Sequence, residues 1–378
     1  MKKIFIIGSG LFGSVIAERI TAEYNIEVIV VDRRKHIGGN CYSEIDVETG
    51  VEYHKYGSHI FHTSDEKVWN YINRFGKFNK YQHCVYTTFK GKIFPIPINL
   101  DTINYYYGKT FSPKEAKEFI AKEIKKENIL NPQNLEEKAI SLIGRPLYDA
   151  FIRGYTIKQW AKDPKNLSSE IIARLPVRYN DDNRYFSDCF EGIPIEGYGK
   201  LFKKILASPK IKLFLKTSYK DVKSQISRSD IVLYTGAIDE FFDYKFGALE
   251  WRTVDFEVEK LNLPNYQGIS VMNYAEEKIP FTRIHEFKHY HPEREDTGKT
   301  IIFKEYSRFA SVGDEPYYPV FTEKNQKLQR KYIEFAKKET PNVVFGGRLG
   351  LYRYLDMDDT IAEALSCYEN IIKLLLNS

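Results

Sequence analysis

The sequence predicts an α/β protein, in which a Rossmann-like nucleotide-binding domain carries an inserted helical domain and an antiparallel β-sheet domain. Three observations carry this expectation. A β-branched run near the N-terminus leads at once into a glycine turn and an apolar-periodic helix, the stretch from Asp101 to about Glu170 is rich in helix-start signals, and the chain after Pro176 breaks into short strand-like runs. At 378 residues the chain exceeds the roughly 150 to 250 typical of one compact core, which favours several packed modules. Hydrophobic residues at 43% and charged residues at 28% exclude a disordered or fibrous chain. Twenty-eight tyrosines suggest a large amphipathic cleft beyond ordinary packing.

The net charge of +5, without a basic run, favours small anions over nucleic acid. Cys41, Cys84, Cys189 and Cys367 lie far apart, which reads as reduced thiols in a cytoplasmic protein rather than a disulfide framework or zinc ribbon. No uncharged apolar stretch approaches the roughly 18 residues of a membrane helix, so no integral membrane segment is expected. Lys2 and Lys3 before the uncharged run 4–17 imitate a signal peptide; the glycine spacing argues against one.

The run Ile4-Phe5-Ile6-Ile7 reads as a buried strand, followed by Gly8-Ser9-Gly10-Leu11-Phe12-Gly13 and a helix carrying Val15, Ile16, Ala17 and Ile20. A second strand, Val28-Ile29-Val30-Val31, ends in Asp32, nineteen residues beyond Gly13 and suited to holding ribose hydroxyls. Gly8 permits the turn, Gly10 lets the backbone approach a pyrophosphate, and Gly13 allows close helix packing on the sheet. The helix N-terminus offers free N–H groups to the anion. NAD and FAD share this fingerprint. The pair Gly38-Gly39, just after Asp32, resembles the extended signature of the flavoprotein group that includes amine oxidases.

Residues 85–89 and 92–96 around Lys90-Gly91 form a predicted hairpin. Ser112-Pro113-Lys114-Glu115 combines a capping box with proline at the first helical position, and Pro146 after Gly144 starts a helix carrying Phe151, Tyr155 and Trp160. Runs at 212–215, 253–258, 268–273, 281–287 and 300–306 suggest the antiparallel sheet. Residues 231–234, ending in Thr235-Gly236, look like a parallel strand returning to the nucleotide domain, and a last strand near 343–345 precedes a helix starting near Asp358 or Asp359. The modules therefore interleave. His285-Glu286-Phe287-Lys288-His289 matches H-E-x-x-H but lies among strand signals, and reads as a strand with solvated polar residues rather than a zinc site. His59 and His62 lack a completing ligand cluster, so no metal is expected.

Four segments combine polar and aromatic residues beyond what packing requires: 57–62 (Gly-Ser-His-Ile-Phe-His), 151–160, which contains Arg-Gly-Tyr-Thr-Ile-Lys-Gln-Trp and reads equally as helix core, 173–186, which contains Arg-Leu-Pro-Val-Arg-Tyr-Asn and reads also as a solvated loop, and 347–358 (Gly-Arg-Leu-Gly-Leu-Tyr-Arg-Tyr-Leu-Asp-Met-Asp). In this order, along essentially the whole chain, they resemble the bacterial UDP-galactopyranose mutases. The resemblance implies an FAD enzyme, active when the flavin is reduced, that contracts UDP-galactopyranose to UDP-galactofuranose with flavin N5 as nucleophile at the anomeric carbon and no net redox change. It implies a homodimer with a UDP-sugar substrate. It places Phe151 and Tyr155 at the uridine, Trp160 near the sugar, and Arg174 and Arg283 as a clamp on the diphosphate, with Tyr185, Arg252, Tyr317, Tyr354 and Asp356 completing the pocket. His59 would sit beside the flavin ring, and Gly8, Gly10, Phe12, Gly13, Asp32, Arg33, Gly39, Asn40, Arg348, Met357 and Asp358 would hold the cofactor. Where many relatives carry asparagine, this chain has His83.

The expected division is an FAD domain from 1–80, 193–240 and 326–378, a sheet domain from 81–98 and 241–325, a helical domain at 99–170, and a lid with sheet residues at 171–192. The stretch from Leu175 to Tyr185 is expected to order over bound substrate. Rival readings are a mutase for UDP-N-acetylgalactosamine, a flavin amine oxidase, or a nucleotide-sugar binding protein without catalysis.

Overall fold

The structure, a computed structural model, describes residues 3–172 and 177–377. Five strands form a parallel sheet in the order Val343–Phe345, Ile231–Tyr234, Ile4–Ile7, Val28–Asp32 and Ile211–Leu215. Ile4–Ile7 is its central strand and is buried throughout, as a parallel strand covered on both faces must be. The apolar stretch that imitates a leader is thus the middle of a core. The 212–215 run is the outer strand of this sheet and not part of the antiparallel one. Only Ile211 of this edge strand is buried, so local pattern could not place it.

The second sheet runs Tyr318–Pro319, Trp251–Leu261, Thr300–Phe309, Arg283–Glu286, Val271–Tyr274, Val85–Phe89 and Lys92–Ile96. It is mixed, which corrects the antiparallel expectation: Val271–Tyr274 pairs in parallel with Val85–Phe89. The hairpin at 85–96 joins this sheet long before its other strands are made, so its orientation is not set by a local turn. The helical part has its own core, in which Ile103, Ile120, Ile140, Leu147 and Tyr148 are fully buried. Ser112 and Glu115 form the expected capping box at the start of helix Pro113–Lys126.

One helix of this part reaches the second sheet. A π-helical turn, Tyr148–Arg153, leads into helix Gly154–Trp160, so the spacing of the aromatics departs from a regular helix. A Cβ on Gly154 would lie 2.4 Å from the Ala275 carbonyl oxygen, and only glycine permits this approach. Lys158 Nζ donates to the carbonyls of Tyr274 (2.6 Å), Glu276 (3.0 Å) and Phe281 (3.0 Å). At the helix end, Arg252 Nε and Ser307 Oγ both donate to the Gln159 carbonyl, at 2.9 and 2.8 Å. Three strands thereby hold one short helix. Replacing Lys158 with methionine strands three carbonyls, and we expect a loss of about 1–3 kcal/mol in chemical denaturation; an unchanged midpoint would show that the lysine bonds are not stabilising.

Candidate active site

A cavity of about 1940 Å³ opens beyond the C-terminal ends of the parallel strands and runs to the face of the second sheet. Most ligand pockets occupy about 300–1,000 Å³. This one therefore accommodates two ligands in line.

At the nucleotide end, Gly8 has φ of +112° and Gly13 packs so tightly that a Cβ would meet the Gly8 carbonyl oxygen at 2.1 Å. Gly10 differs: its nearest neighbour is the Cα of Gly39 at 3.8 Å, so its missing side chain leaves open space. Gly10 also caps helix Leu11–Glu23 without a side-chain bond, leaving the first N–H groups to an anion. Asp32 is buried and anchored: Oδ2 accepts from Ser9 N (2.8 Å) and Ser9 Oγ (2.7 Å), and Oδ1 from Arg34 N (2.9 Å). Arg34 spans Asn40 Oδ1 (2.8 Å) and Glu315 Oε2 (2.6 Å) and lies over the Tyr56 ring at 4.5 Å. Arg33 also pairs with Glu315, at 3.0 Å. Phe12, Arg348 and Met357 line the cavity. Gly13 and Asp358 do not; Gly13 is structural, and the Asp358 carboxyl bonds Thr63 behind the wall.

At the far end the cavity wall brings together Phe151, Tyr155, Trp160, Tyr185, Tyr354 and Asp356. Burial raises the Asp356 carboxyl above the usual aspartate range. Arg283 Nη2 donates to the Tyr155 hydroxyl, and its Nε lies 3.2 Å from Glu305 Oε1. Burial would raise the Glu305 carboxyl, but Arg283 and His285 hold it down to about 2, so it is ionised. Arg252 is fully buried beneath Gln159 and does not line the cavity. Of the two adjacent tyrosines, Tyr317 lies in the field of Arg34, Glu315 and Tyr56 at the nucleotide end, whereas Tyr318 lies in that of Glu305 and Arg283 and stacks on Tyr354 at 6.0 Å. Extended backbone sends successive side chains to opposite faces, so Tyr318 and not Tyr317 joins the second compartment. Arg174 lies outside the described residues. After it, Arg178 organises the following turn by bonding the Asp182 and Arg184 carbonyls and Ser187 Oγ.

Histidines line the middle. His59 donates from Nδ1 to the Gly57 carbonyl (2.8 Å), which leaves Nε2 as the lone-pair atom, and burial keeps the ring neutral by pushing it down to about 4. His285 and Glu286, expected to be solvated, are buried because each has buried partners: His285 Nε2 donates to Glu305 Oε2 (3.0 Å), and Glu286 accepts from Tyr266 N, Gln267 N and Thr300 Oγ1. No group of three or more potential metal ligands occurs among the described residues.

The fold and cavity define a dinucleotide-binding enzyme of Rossmann-like architecture with a second ligand compartment. A model for NAD(P)-binding Rossmann-like domains matches residues 6–75, and the model for UDP-galactopyranose mutase matches residues 150–354. The chain is 45% identical to a dTDP-fucopyranose mutase of Escherichia coli, over 99% of each chain, and 43% identical to a probable UDP-galactopyranose mutase of Klebsiella pneumoniae, over 100% of this chain and 96% of the other. A crystal structure of reduced UDP-galactopyranose mutase has the same fold, with a TM-score of 0.73 at 17% identity over 99% of this chain and 96% of that one. The chain belongs to the UDP-galactopyranose mutase family and is an isomerase. Among the described residues, no helix is long and apolar enough to cross a membrane.

Sequence reasoning chose Tyr317 over Tyr318, and it missed Arg34, His285 and Glu305. For Glu305 a signal existed: Ile301, Phe303 and Glu305 alternate on one buried face of strand Thr300–Phe309, so a carboxylate occupies a core position.

Buried neutral histidines make the site acid-sensitive. Burial pushes His54 and His83 down to about 3 and His59 to about 4, against an ordinary value near 6.5. Their stabilisation is complete above pH 6.5 and is lost as pH falls, whereas that of the carboxylates Glu52 and Glu305, at about 2, is complete above about 4.5 and is lost only below it. The urea midpoint should therefore drop between pH 7 and 5, and His54→Phe should flatten that slope; equal midpoints at both pH values would contradict the assignment.

Proposed function

We propose that the protein binds FAD and, with the flavin reduced, interconverts UDP-galactopyranose and UDP-galactofuranose. The observation that carries this reading is one continuous cavity, with the glycine cradle and Asp32 at one end and Arg283 with its tyrosines at the other. FAD fits the residues present: the bare Cα of Gly10 leaves room for a pyrophosphate, the uncapped helix faces it, and Asp32 is fixed for ribose hydroxyls. Arg348 and Met357 would border its inner end. Reduced flavin would supply a nucleophilic N5 for an anomeric carbon.

The protein's own residues then bind, orient and stabilise. Arg283 meets the diphosphate with a planar fork, and Glu305 and Tyr155 hold that fork in place. Charge on the diphosphate grows as the anomeric bond breaks, so this contact favours the transition state over bound substrate. His59 Nε2 would offer a neutral proton acceptor beside the flavin ring, with its tautomer set by Gly57. Phe151, Tyr155 and Trp160 would flank the base and sugar, and Arg174 would approach the diphosphate from the opposite side. The 45% identity to the dTDP-fucopyranose mutase favours a second reading, in which a dTDP-6-deoxyhexose is the substrate.

The deciding experiment incubates dithionite-reduced protein separately with UDP-galactofuranose, UDP-galactopyranose and dTDP-fucopyranose and chromatographs the products. Interconversion of the UDP-galactoses, without net reductant use and absent in the oxidised enzyme, is expected; turnover of dTDP-fucopyranose alone would select the second reading, and isomerisation by strictly oxidised enzyme would sink the flavin mechanism. Arg283→Ala should lower turnover by roughly one to two decades, the equivalent of a charged hydrogen bond of about 1.5–3 kcal/mol, at unchanged flavin content. Arg283→Lys should recover only part of it. Near-normal turnover in Arg283→Ala would remove this arginine from the mechanism.

A further inference from the structure

Along the cavity wall a line of hydrogen bonds connects Glu305 to His83. Glu305 Oε2 meets His285 Nε2 at 3.0 Å, and His285 Nδ1 meets Ser58 Oγ at 2.5 Å. Ser58 Oγ bonds the Tyr290 hydroxyl, which bonds Ser270 Oγ, which bonds the Tyr81 hydroxyl. The Tyr81 hydroxyl meets His83 Nδ1 at 2.9 Å. Ser270, His285, Tyr290, Glu305 and His83 are all at least nine-tenths buried.

Donor counting gives the line a direction. An ionised carboxylate only accepts, so His285 must donate from Nε2, and its Nδ1 is then an acceptor. Ser58 therefore donates its single proton to His285. Having no second proton, it accepts from Tyr290, which in turn accepts from Ser270, which accepts from Tyr81. The Tyr81 oxygen is left to accept, and only His83 Nδ1–H can donate to it. Burial and the nearby Arg283 push His83 down to about 3, so the ring is neutral and carries one proton. That proton is on Nδ1. Nε2 has no protein partner among the described residues, and His83 lines the cavity between Arg283 and Tyr185.

We infer that His83 is a specificity-determining residue whose Nε2 accepts a hydrogen bond from one hydroxyl of the bound sugar, and that Glu305 sets its tautomer through the line of hydroxyls. This rests on the proposed nucleotide-sugar substrate. A ring of opposite tautomer would present N–H and would favour an acceptor instead, so the wiring selects what stands at that position of the sugar. Glu305 then acts twice, orienting Arg283 at one end and polarising His83 at the other.

The test is nitrogen-15 NMR of the imidazoles in the intact flavin-loaded enzyme, with the His83 signals assigned by their loss in His83→Phe. Nδ1 should be protonated and Nε2 bare. Ser270→Ala interrupts the line and frees the Tyr81 proton to turn toward His83 Nδ1, and should move His83 toward the Nε2–H form. Saturating oxidised enzyme with UDP-galactopyranose should shift Nε2, and one of the 2-, 3-, 4- and 6-deoxy analogues should fail to do so. In kinetics on the reduced enzyme, discrimination of about tenfold or more against that analogue should collapse in His83→Phe, since an unpaired buried acceptor is what rejects it. An Nε2–H tautomer in the intact protein, indifference of the tautomer to Ser270→Ala, or an Nε2 signal unmoved by the sugar would each overturn the inference. Binding is read without turnover, so a protein that shows these shifts but isomerises nothing would refute the proposed reaction and not the role of His83.

Discussion

The buried carboxylate of Glu305 is the constraint around which the second compartment is arranged. Burying an anion is costly, and the cost is offset only because Arg283 and His285 take its two oxygens. The same contacts leave no freedom to the cation or to the imidazole. Arg283 is delivered to the cavity with its Nη2 against Tyr155, and the proton inventory of the surrounding hydroxyls follows from one negative charge. Removing Glu305 would not simply delete a salt bridge; it would leave a buried arginine with neither counter-charge nor fixed direction.

The nucleotide end depends on a different economy of contact. Gly8, Gly13 and Gly39 are required by backbone conformation or packing, Gly39 with φ of +58° and a Cβ that would meet the Gly10 Cα at 3.0 Å, whereas Gly10 has no contact closer than 3.8 Å. One motif thus contains two kinds of glycine, and only the second kind faces chemistry. Asp32 similarly serves two purposes, since the donors from Ser9 and Arg34 that fix its orientation also tie the glycine turn to the second strand.

These differences explain which parts were legible in the sequence. Strand, turn, helix and terminal acid near the N-terminus are local, and periodicity with glycine spacing located them to within a residue or two. The hairpin and the capping box of Ser112 are local as well. What local pattern could not supply was partnership. The 211–215 strand pairs with residues far upstream, and the parallel pairing of Val271–Tyr274 with Val85–Phe89 depends on how remote segments meet. In the site, motif resemblance singled out Arg283, Tyr155 and the aromatics, all of which line the cavity, but it placed Arg252 at the ligand although that guanidinium serves the helix end. Glu305 went unnoticed because a lone carboxylate in a strand resembles surface charge until its register is known.

The interleaving of the modules has a consequence for how the chain is made. Ile4–Ile7 is made well before one of its two partners, Ile231–Tyr234, which lies 227 residues later, and before the next strand of the sheet, Val343–Phe345. Closing such a loop is slow, whereas the helices between Leu100 and Trp160 make contacts among near neighbours in sequence. The helical part can therefore condense during synthesis while the two N-terminal strands wait with unpaired edges for their C-terminal neighbours. The glycine cradle acquires its opposite wall, Thr235 and Gly347, only when these two later segments arrive, so the cradle is shaped by residues distant from it in sequence.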